Sequence, residues 1–380
     1  MKELLSFAAF IATFISLYGL LNYYFYRKAA GCFSFRPWVR IVLAVFLLLM
    51  VSAPFMVNFA SAAGFHSVAF ASAWVGYTWM GAVFLFFCVH FTVDIVSAIR
   101  WIFLRVFSHS SVVFERRVTM FAASVAIVSV GLLCGVFEAR DIGIEHIRLH
   151  SDKVLEPVRI AQVSDLHFGV INGEAFAVKV ARLLDEIDAD IVVSTGDMID
   201  RGLRDAERTA AVLRTVSAAA GKFAVPGNHE FYAGLKEAVD FHEKAGFMFL
   251  RNSAVSVSDH LIIAGVDDPA GRRYGIDPDF FESRLLEGVP RERFTILLKH
   301  QPVPASDFDL QLSGHTHGGQ LFPFNFVVGI VYPWVRGLHE TGDGSWIYIS
   351  RGTGFWGPPV RLFAPPEITV IDIDPVKQKN

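Results

Sequence analysis

The sequence predicts a multi-domain chain in which four N-terminal transmembrane α-helices are followed by an α/β domain. Hydrophobic residues make up 53% of the 380 residues and charged residues 19%, and the apolar excess lies in the first 140 residues. From about Ile142, short β-rich runs alternate with helical patterns. We therefore assign residues 1–140 to an anchor, residues 141–156 to a linker with the first strand, and residues 157–380 to a soluble domain.

Four uncharged stretches are long enough to cross a bilayer, which takes about 20 apolar residues. They cover residues 4–26, 41–65, 67–93 and 118–137. Pro54 falls within the second stretch, where we expect a kink. His90 and Asp94 lie near the end of the third. We interpret Asp94 as an interfacial residue close to Arg100, in preference to part of a polar pathway through the membrane.

Basic residues near the spans predict the orientation of the chain, because loops rich in Lys and Arg stay in the cytoplasm. The second loop has none, whereas the first and third are basic: Arg27, Lys28, Arg36 and Arg40, then Arg100, Arg105, Arg116 and Arg117. We therefore expect a multi-pass protein of the cytoplasmic (inner) membrane with its soluble domain outside the cytoplasm. Arg140, Arg148 and Lys153 count against this orientation.

Charge and cysteine content exclude some functions. The formal net charge is −3, so no basic excess points to nucleic-acid binding. The three cysteines, Cys32, Cys88 and Cys134, all lie in the apolar part. The soluble half therefore forms no internal disulfide and has no thiolate metal site. Nothing in the sequence calls for an obligate protein partner.

In the soluble half, candidate functional residues follow apolar strands. We predict helices over residues 174–188, 204–219 and 232–245, and strands over residues 158–163, 191–195, 222–225, 294–298, 310–313, 347–350 and 368–373. Sites in open α/β sheets form beyond the carboxyl ends of the strands. Residues that follow these strands should therefore converge on one rim, although they are more than 150 positions apart in the sequence.

Five short motifs occupy those strand ends and supply oxygen and imidazole groups. They are Asp165-Leu-His167, Gly196-Asp197-Met-Ile-Asp200, Gly227-Asn228-His229-Glu230, Lys299-His300 and Gly314-His315-Thr-His317. Divalent ions such as Mn²⁺, Zn²⁺ and Fe²⁺ prefer such ligands. Two cations about 4 Å apart neutralise a phosphate ester and lower the pKa of an attacking water. The five motifs together therefore predict a two-metal phosphoesterase centre.

Spacing suggests a role for each ligand. Asp197 is the candidate bridge between the ions, since the Gly196 turn would place it at the tip of its strand. Asp165 and His167 can hold one ion from a single turn. His317 completes that ion, and Asn228, His300 and His315 complete the second.

Three further residues are candidates for catalysis. His229 lies beside the ligands and would donate a proton to the leaving group or bind a phosphate oxygen. Asp200 would orient His229, with capping of the following turn as the alternative. Arg201 would pair with a phosphate oxygen or remain a solvated turn residue.

The same segments carry a family resemblance. SDLHFG, STGDMIDRG, VPGNHEFY, LLKHQP and LSGHTHGGQ resemble the calcineurin-like metallophosphoesterases, over roughly residues 157–374. The resemblance implies a β-sandwich flanked by helices. It implies two metal sites that share Asp197, one with Asp165, His167 and His317, the other with Asn228, His300 and His315, and it assigns the assisting histidine to His229. The GHTHGGQ ending and Gly352-Thr-Gly354 resemble the bacterial membrane-associated branch rather than protein Ser/Thr phosphatases.

We therefore expect a membrane-anchored phosphoesterase that uses two divalent metal ions, Mn, Fe or Zn with Mg as the alternative. Metal-activated water would hydrolyse a phosphate mono- or diester, with a lipid-linked or envelope substrate suggested by the anchor. The lipid bilayer and this substrate are the expected partners. One alternative is a UDP-linked acyl-sugar pyrophosphohydrolase of lipid A synthesis, which requires a cytoplasmic domain. Another is a catalytically silent membrane receptor or transporter accessory domain.

A few features stay outside this site. We expect His242, His260 and His339 to be surface or structural residues. Asp267-Asp268 is interpreted as a turn before Pro269 rather than as a further acidic ligand pair. The apolar run from Leu321 to Trp334 is interpreted as a core strand pair. The alternative is a surface that contacts the bilayer or an acyl chain, extended by Phe355 and Trp356.

Overall fold

The computed structural model describes residues 2–107, 117–342 and 344–376. The chain divides into two compact units. The first comprises Met1–Phe137 with Gly357–Leu362, and the second comprises Glu138–Trp356 with Phe363–Asn380. This division separates the apolar helices from the α/β fold.

The first unit is built from long helices. They are α1 (Lys2–Cys32), α2 (Pro37–Ala62), α3 (His66–Phe107) and α4 (Arg117–Glu138). Within the described residues, α2, α3 and α4 have the length and composition of membrane-spanning helices, so the predicted count of four spans is not reproduced. The first predicted span, 4–26, falls within α1, and part of it lies outside the residues whose side chains the structure describes.

Helix α3 differs most from its predicted span, because it continues to Phe107 rather than ending near residue 93. Arg100 and Arg105 therefore lie on a helix and not in a loop, while Arg116 lies outside the described residues. Asp94 contacts Lys28 Nζ (2.6 Å) and the Tyr24 hydroxyl (2.6 Å) of α1. Asp94 is thus paired with α1, and its predicted position at the membrane interface close to Arg100 stays a prediction.

The second unit contains two mixed sheets of six strands each in its described part. The strands are β1 (Gly143–Ser151), β2 (Val158–Val163), β3 (Ile191–Ser194), β4 (Lys222–Ala224), β5 (Met248–Phe249), β6 (Ser253–Ser256), β7 (Leu261–Gly265), β8 (Phe294–Leu298), β9 (Leu310–Ser313), β10 (Gly337–Glu340), β11 (Trp346–Ile349) and β12 (Glu367–Pro375). Their order is β1-β12-β2-β3-β4-β5 in one sheet and β10-β11-β9-β8-β7-β6 in the other. Helices α5 (Glu174–Ile187), α6 (Ala206–Arg214), α7 (Asn228–Ala233), α8 (Leu235–Lys244), α9 (Pro278–Glu287) and α10 (Phe324–Val331) connect them.

The two sheets pack face to face, as the alternation of side chains along each strand shows. Ile160 and Val193 from one sheet share a buried cluster with Ile296 from the other. Their neighbours Ala161 and Val192 point the other way, into a second cluster with α5, α6 and α8. Successive side chains of a strand face opposite sides, so one face of this sheet lies inside the sandwich and the other carries helices. The predicted α/β fold is confirmed.

Three predicted elements differ most from the structure. The helix predicted over residues 204–219 is shorter, since α6 covers only Ala206–Arg214. The single helix over residues 232–245 is two helices, α7 and α8, because Gly234 between them has φ +127°, a conformation that ends a helix. The run from Leu321 to Trp334 forms helix α10 and not a core strand pair. None of the α10 side chains is buried.

Strand direction explains how the motifs meet. Strands β2, β3 and β4 are parallel neighbours, as are β8 and β9 in the other sheet. Asp165, Asp197 and Asn228 follow the ends of the first three, and His300 and His315 follow the ends of the other two. Residues beyond the carboxyl ends of parallel strands share one rim of the fold, and both sheets contribute to this one.

Candidate metal centre

The backbone at the predicted ligands adopts an uncommon conformation. Positive φ angles occur at Asp165 (52°), His167 (48°), Asp197 (53°), His315 (70°) and His317 (50°). Residues other than glycine rarely adopt this region because Cβ meets the backbone. Such strain concentrates at functional sites, where the surrounding structure must hold it.

Two glycines let the loops approach each other closely. Gly196 has φ +98°, and a Cβ atom there would lie 2.6 Å from the Gly227 nitrogen. A Cβ atom on Gly314 would lie 1.9 Å from Ser164 Oγ and 2.4 Å from Asp165 Oδ2. Any larger residue would therefore push these loops apart, and the motif glycines are needed to bring the ligands together.

One group of ligand atoms comes from Asp165, His167 and His317, whose donor atoms all lie within 4.8 Å of one another. The Nε2 atoms of the two histidines are 3.1 Å apart, and His317 Nε2 lies 3.4 Å from Asp165 Oδ1. Asp165 is held in place by the Ser164 hydroxyl, which donates to Oδ2 at 2.5 Å, and by the His315 amide. Three ligand atoms thus converge as the sequence predicts for one ion.

A second group comes from Asp197, His300 and His315. His300 Nε2 lies 3.2 Å from Asp197 Oδ2 and 3.1 Å from His315 Nδ1. The other ring nitrogen, His300 Nδ1, donates to the Thr195 carbonyl at 2.8 Å. This hydrogen bond fixes the tautomer and leaves Nε2 facing the group, as in metal-ligating histidines.

Asp197 joins the two groups. Its Oδ2 atom lies 3.2 Å from His300 Nε2 in one group and 3.8 Å from His167 Nε2 in the other. Asn228 adds an independent observation, because its Oδ1 atom is buried and has no hydrogen-bond partner in the described part of the chain. Buried amide oxygens are normally paired. A cation beside it would satisfy this oxygen, so the donor set fits two divalent ions that share Asp197.

The charges of the histidines in the second group support the same interpretation. Burial alone would lower the pKa of His300, but the Asp197 carboxylate outweighs it and raises that pKa well above the ordinary value. Burial, together with the charge on His300, lowers the pKa of His315 to about 4. The proton that this raised pKa keeps on His300 Nε2 therefore faces Asp197 Oδ2 and the neutral His315 Nδ1. A divalent cation in place of the proton would be bound by these same two atoms.

Asp200 contacts two histidines with one oxygen. Its Oδ1 atom lies 2.5 Å from His229 Nδ1 and 3.1 Å from His167 Nδ1. Burial would lower the pKa of His229, but the carboxylates of Asp197 and Asp200 raise it to about 9. His229 is also placed by its backbone amide, which donates to Asp197 Oδ1 at 2.8 Å. The sequence placed Asp200 behind His229 but did not foresee its contact with the ligand His167.

His229 also belongs to a third group of potential ligand atoms, with His167 and Asp197. Its assignment as a catalytic acid rather than a ligand therefore stays a prediction. Arg201 is exposed, and its Nε donates to the Tyr232 carbonyl. This contact ties the turn after Asp200 to α7, and the predicted pairing of Arg201 with a phosphate oxygen also stays a prediction.

Glu230 is a site residue that sequence reasoning missed. It is fully buried and accepts hydrogen bonds from the amides of Gly227 (2.7 Å), Asp197 (2.9 Å) and Met198 (2.7 Å). One carboxylate thus fixes the loops that carry Asp197 and Asn228. The signal was present in the sequence, since a glutamate three residues after a helix N-cap can accept from the N-cap amide, as in one half of a capping box.

Two aromatic side chains also contact the site. The Tyr332 ring lies 5.6 Å from the His315 ring, and the Trp356 ring lies 5.7 Å from the His229 ring. The Thr353 amide donates to the Ser164 carbonyl at 2.7 Å, which holds the Gly352-Thr-Gly354 segment against the Asp165 loop.

Asp268 caps the turn that follows it by accepting from the Ala270 amide, in agreement with its interpretation as a turn residue.

Comparisons with known proteins agree with these features. The family model for "Calcineurin-like phosphoesterase" matches residues 158–319. An uncharacterized metallophosphoesterase of Aquifex aeolicus is 39% identical over 57% of this chain and 85% of its own length. A "transmembrane protein with metallophosphoesterase domain" of Danio rerio is 31% identical over 57% of this chain and 53% of its own length. Among solved structures, a dimetal phosphatase from Danio rerio is 13% identical with a TM-score of 0.34, covering 52% of this chain and 88% of that one, too weak a likeness to support an argument.

Proposed function

This chain belongs to the calcineurin-like phosphoesterase family, and we propose on that premise that it is a membrane-anchored hydrolase of phosphate esters that uses two divalent cations. The observation that carries the proposal is Asp197 Oδ2, which lies within 3.8 Å of a histidine nitrogen from each ligand group. A shared carboxylate is what holds two cations close enough to act on one phosphate. The oxygen and imidazole donors favour Mn, Fe or Zn, with Mg as the alternative.

When bound, the cations would neutralise the phosphate oxygens and supply an activated water. The residues of the chain act around them. His229 holds a proton beside the ligands and can deliver it to the leaving alkoxide. Asp200 keeps the His229 ring in one orientation through Nδ1, so that the opposite nitrogen is the one that meets the substrate. Glu230 keeps the loops of Asp197 and Asn228 at a fixed separation.

A catalytically silent receptor or accessory domain is the less favoured reading. All seven predicted ligands lie at the rim, and three groups of carboxylate and imidazole atoms there are close enough to hold an ion. A silent domain would be expected to have lost at least one ligand, and each buried carboxylate would then lack the cation that offsets its desolvation.

The direct test uses the purified full chain in detergent, stripped of metal and reloaded with Mn²⁺, Zn²⁺, Fe²⁺ or Mg²⁺. Hydrolysis of bis(p-nitrophenyl) phosphate and p-nitrophenyl phosphate distinguishes diester from monoester activity. Asp197→Asn should lower kcat about 10³-fold, because the bridging charge contributes several kcal/mol, and elemental analysis should show loss of at least one metal. The exposed Asp259→Asn is the matched control. Activity of Asp197→Asn within a few-fold of wild type would overturn the two-metal proposal.

We also propose that the soluble domain lies outside the cytoplasm. Arg27 and Lys28 lie near the end of α1, Arg36 directly precedes α2 and Arg40 lies in its first turn. Arg100 and Arg105 lie near the end of α3, so both basic regions are expected in the cytoplasm. The segment after α4 is then external whether or not α1 spans the membrane. Such a domain would act on envelope lipids or exported esters, and a cytoplasmic UDP-linked acyl sugar would be out of reach.

Fusions to position 380 test the orientation. Alkaline phosphatase is active only after export, whereas green fluorescent protein fluoresces mainly without it. The phosphatase fusion should be active and the fluorescent fusion dark. The opposite result would place the domain in the cytoplasm and bring back the UDP-linked acyl-sugar substrate.

A further inference from the structure

Helix α10 and the residues before it form an exposed apolar surface in the second unit. We define this apolar surface as Phe322, Phe324, Phe326, Val327, Ile330 and Val331. Ile330 is 84% exposed, Val331 69% and Phe326 66%. The helix contains no charged residue. A contiguous apolar patch of this kind marks a site of interaction with another surface.

The apolar surface continues to the point where the last long helix ends. The Phe322 ring lies 5.7 Å from the ring of Phe363, itself 68% exposed. The amides of Phe363 and Ala364 donate to the Glu138 carboxylate at 3.2 and 2.8 Å. Glu138 is the final residue of α4, a helix long and apolar enough to cross a membrane. The apolar surface is therefore connected through Phe363 to the last residue of α4.

Strand register places the metal centre at this same end of the sheet. Gly143, the first residue of β1, pairs with Glu367 at the start of β12. Two residues further along β12, Thr369 pairs with Gln162, near the end of β2 and just before Asp165. Only residues 139–142 separate α4 from β1, and four residues span at most ~14 Å. Residues 139–142, which we call the tether, and the metal ligands thus lie at one rim.

Both ends of α10 are attached to metal-centre residues. The turn that carries His317 leads into the helix, and a Cβ atom on Gly319 would lie 2.4 Å from Asn325 Cα, so this turn lies directly against the helix. At the other end, Tyr332 follows the helix and its ring contacts His315. A surface held this way by both ends cannot move far from the centre.

We propose that the apolar surface docks on the lipid bilayer that holds the anchor, and that the metal centre consequently takes the phosphate group of an amphiphilic ester. The rim has the composition of a membrane interface. Arg336 donates to the Phe363 carbonyl at 3.1 Å, and the exposed Trp356 lies beside His229. Arginine and tryptophan favour the headgroup level beside buried apolar side chains. The substrate class rests on the proposed function, whereas the docking does not.

Lipid quenching of a fluorescent label tests the docking. In the full chain with Cys32, Cys88 and Cys134 replaced by alanine, Ile330→Cys carries an environment-sensitive nitrobenzoxadiazole label. The matched control is Leu155→Cys, which is 64% exposed and follows the far end of β1, about 30 Å along that strand from the tether. The proteins are reconstituted in phosphatidylcholine–phosphatidylglycerol vesicles with or without lipid that carries a doxyl group on its acyl chain.

The label at Ile330 should emit at shorter wavelength than the label at Leu155 and should be quenched by the doxyl lipid, while the control is not. Equal quenching at the two positions would overturn the docking. A shorter emission wavelength without quenching would also overturn it, because a protein partner or a second copy of the chain would then cover the surface.

The substrate class is tested by rate. We expect Ile330→Asp to lower the ratio of hydrolysis of a bilayer-embedded phosphate ester to that of bis(p-nitrophenyl) phosphate by about tenfold, the scale of one buried isoleucine. Leu155→Asp should leave the ratio unchanged. An unaltered ratio in Ile330→Asp would overturn the amphiphilic substrate. If the wild type hydrolyses neither ester with any metal, the proposed function and the substrate class fall together, and quenching alone decides the docking.

Discussion

The last loop of metal ligands, Gly314–His317, lies shortly before helix α10 in the chain. The metal ligands and this helix nevertheless depart from ordinary burial in opposite directions. Asp165 and Asp197 are charged and are at most 2% exposed, whereas Ile330 is apolar and 84% exposed. His317, the last metal ligand along the chain, and Phe324, which begins α10, are only seven positions apart. A buried charge is costly unless it is paired, and an exposed aliphatic side chain forgoes roughly 1.5–3 kcal/mol of burial.

Each region therefore fits a partner of a definite kind. Divalent cations would satisfy the carboxylates and the buried Asn228 oxygen, and acyl chains would satisfy α10. The comparison teaches that a departure from the usual burial pattern identifies the chemistry of the partner that a region fits. The four predictions below test both sides of this comparison, from the largest expected effect to the smallest.

Replacement of His229 should have the largest effect. His229→Ala should lower kcat by about 10²-fold or more, the scale of general acid catalysis, while both metals remain bound. Steady-state kinetics and elemental analysis on the same sample measure the two quantities, with the exposed His260→Ala as control. Loss of metal from His229→Ala would make this residue a ligand, as its distance from His167 and Asp197 allows.

Glu230→Gln should disturb the loops without removing a ligand. The side-chain NH2 group of Gln would face two of the backbone amides that donate to the Glu230 carboxylate, and buried unsatisfied groups cost about 1–3 kcal/mol. We expect the free energy of unfolding to fall by about 2 kcal/mol in urea denaturation followed by tryptophan fluorescence. The exposed Glu243→Gln should stay within about 0.5 kcal/mol of wild type. An equal response of the two variants would mean that Glu230 does not organise the loops.

His242 offers a further comparison, because it is buried like the ligands but has no carboxylate beside it among the described residues. Burial lowers its pKa to about 4, whereas the ordinary value of about 6.5 applies in the unfolded chain. The unfolded state therefore binds more protons between these values, and stability is lost as the pH falls through this window. From pH 7 to pH 5 the loss should be about 2 kcal/mol.

Denaturation midpoints at the two pH values measure the contribution of His242. In His242→Leu that part of the pH dependence should disappear. If the free energy of unfolding of the variant falls with pH as steeply as that of wild type, other groups, and not this histidine, titrate in the window.

The smallest effect is expected at the apolar surface. In detergent, Ile330→Ala should change the free energy of unfolding by less than about 0.5 kcal/mol, because the side chain packs against little of the fold. The fully buried Ile296→Ala should lower it by about 2–5 kcal/mol. A loss of several kcal/mol in Ile330→Ala would make α10 part of the core and remove the contrast between the two regions.

The convergence of the metal ligands on one rim could be predicted from sequence, because the end of a strand can be recognised from a short stretch of residues. Asp165, Asp197, His300 and His315 each follow an apolar run of four to six residues, and parallel strands bring such ends together. The contact of Asp200 with His229 was predicted, but the sharing of one Asp200 oxygen between His229 and His167 could not be predicted in the same way. It depends on how three loops fold over one another, which spacing along the chain does not define.

Helix α10 shows a second limit of predicting structure from the sequence. Its sequence, FNFVVGIV, is apolar at nearly every position, so it has neither the helical nor the strand period that identifies an element. An apolar run normally indicates a buried strand, and here the run is helical and exposed. The helix at Gly234 was predicted as continuous because a single glycine weakens a helix by only about 1 kcal/mol, and its positive φ is a property of the tertiary fold.

The four residues between α4 and β1 have a kinetic consequence. If the chain acts as the proposed membrane-anchored hydrolase, so short a connection keeps its domain on the same surface as any substrate that resides in the bilayer. Their encounter is then governed by lateral diffusion, and the effective concentration is set by the mole fraction of substrate among the lipids rather than by its amount in bulk. Diluting such a substrate with inert lipid should slow turnover, even when the total concentrations of protein and substrate stay constant.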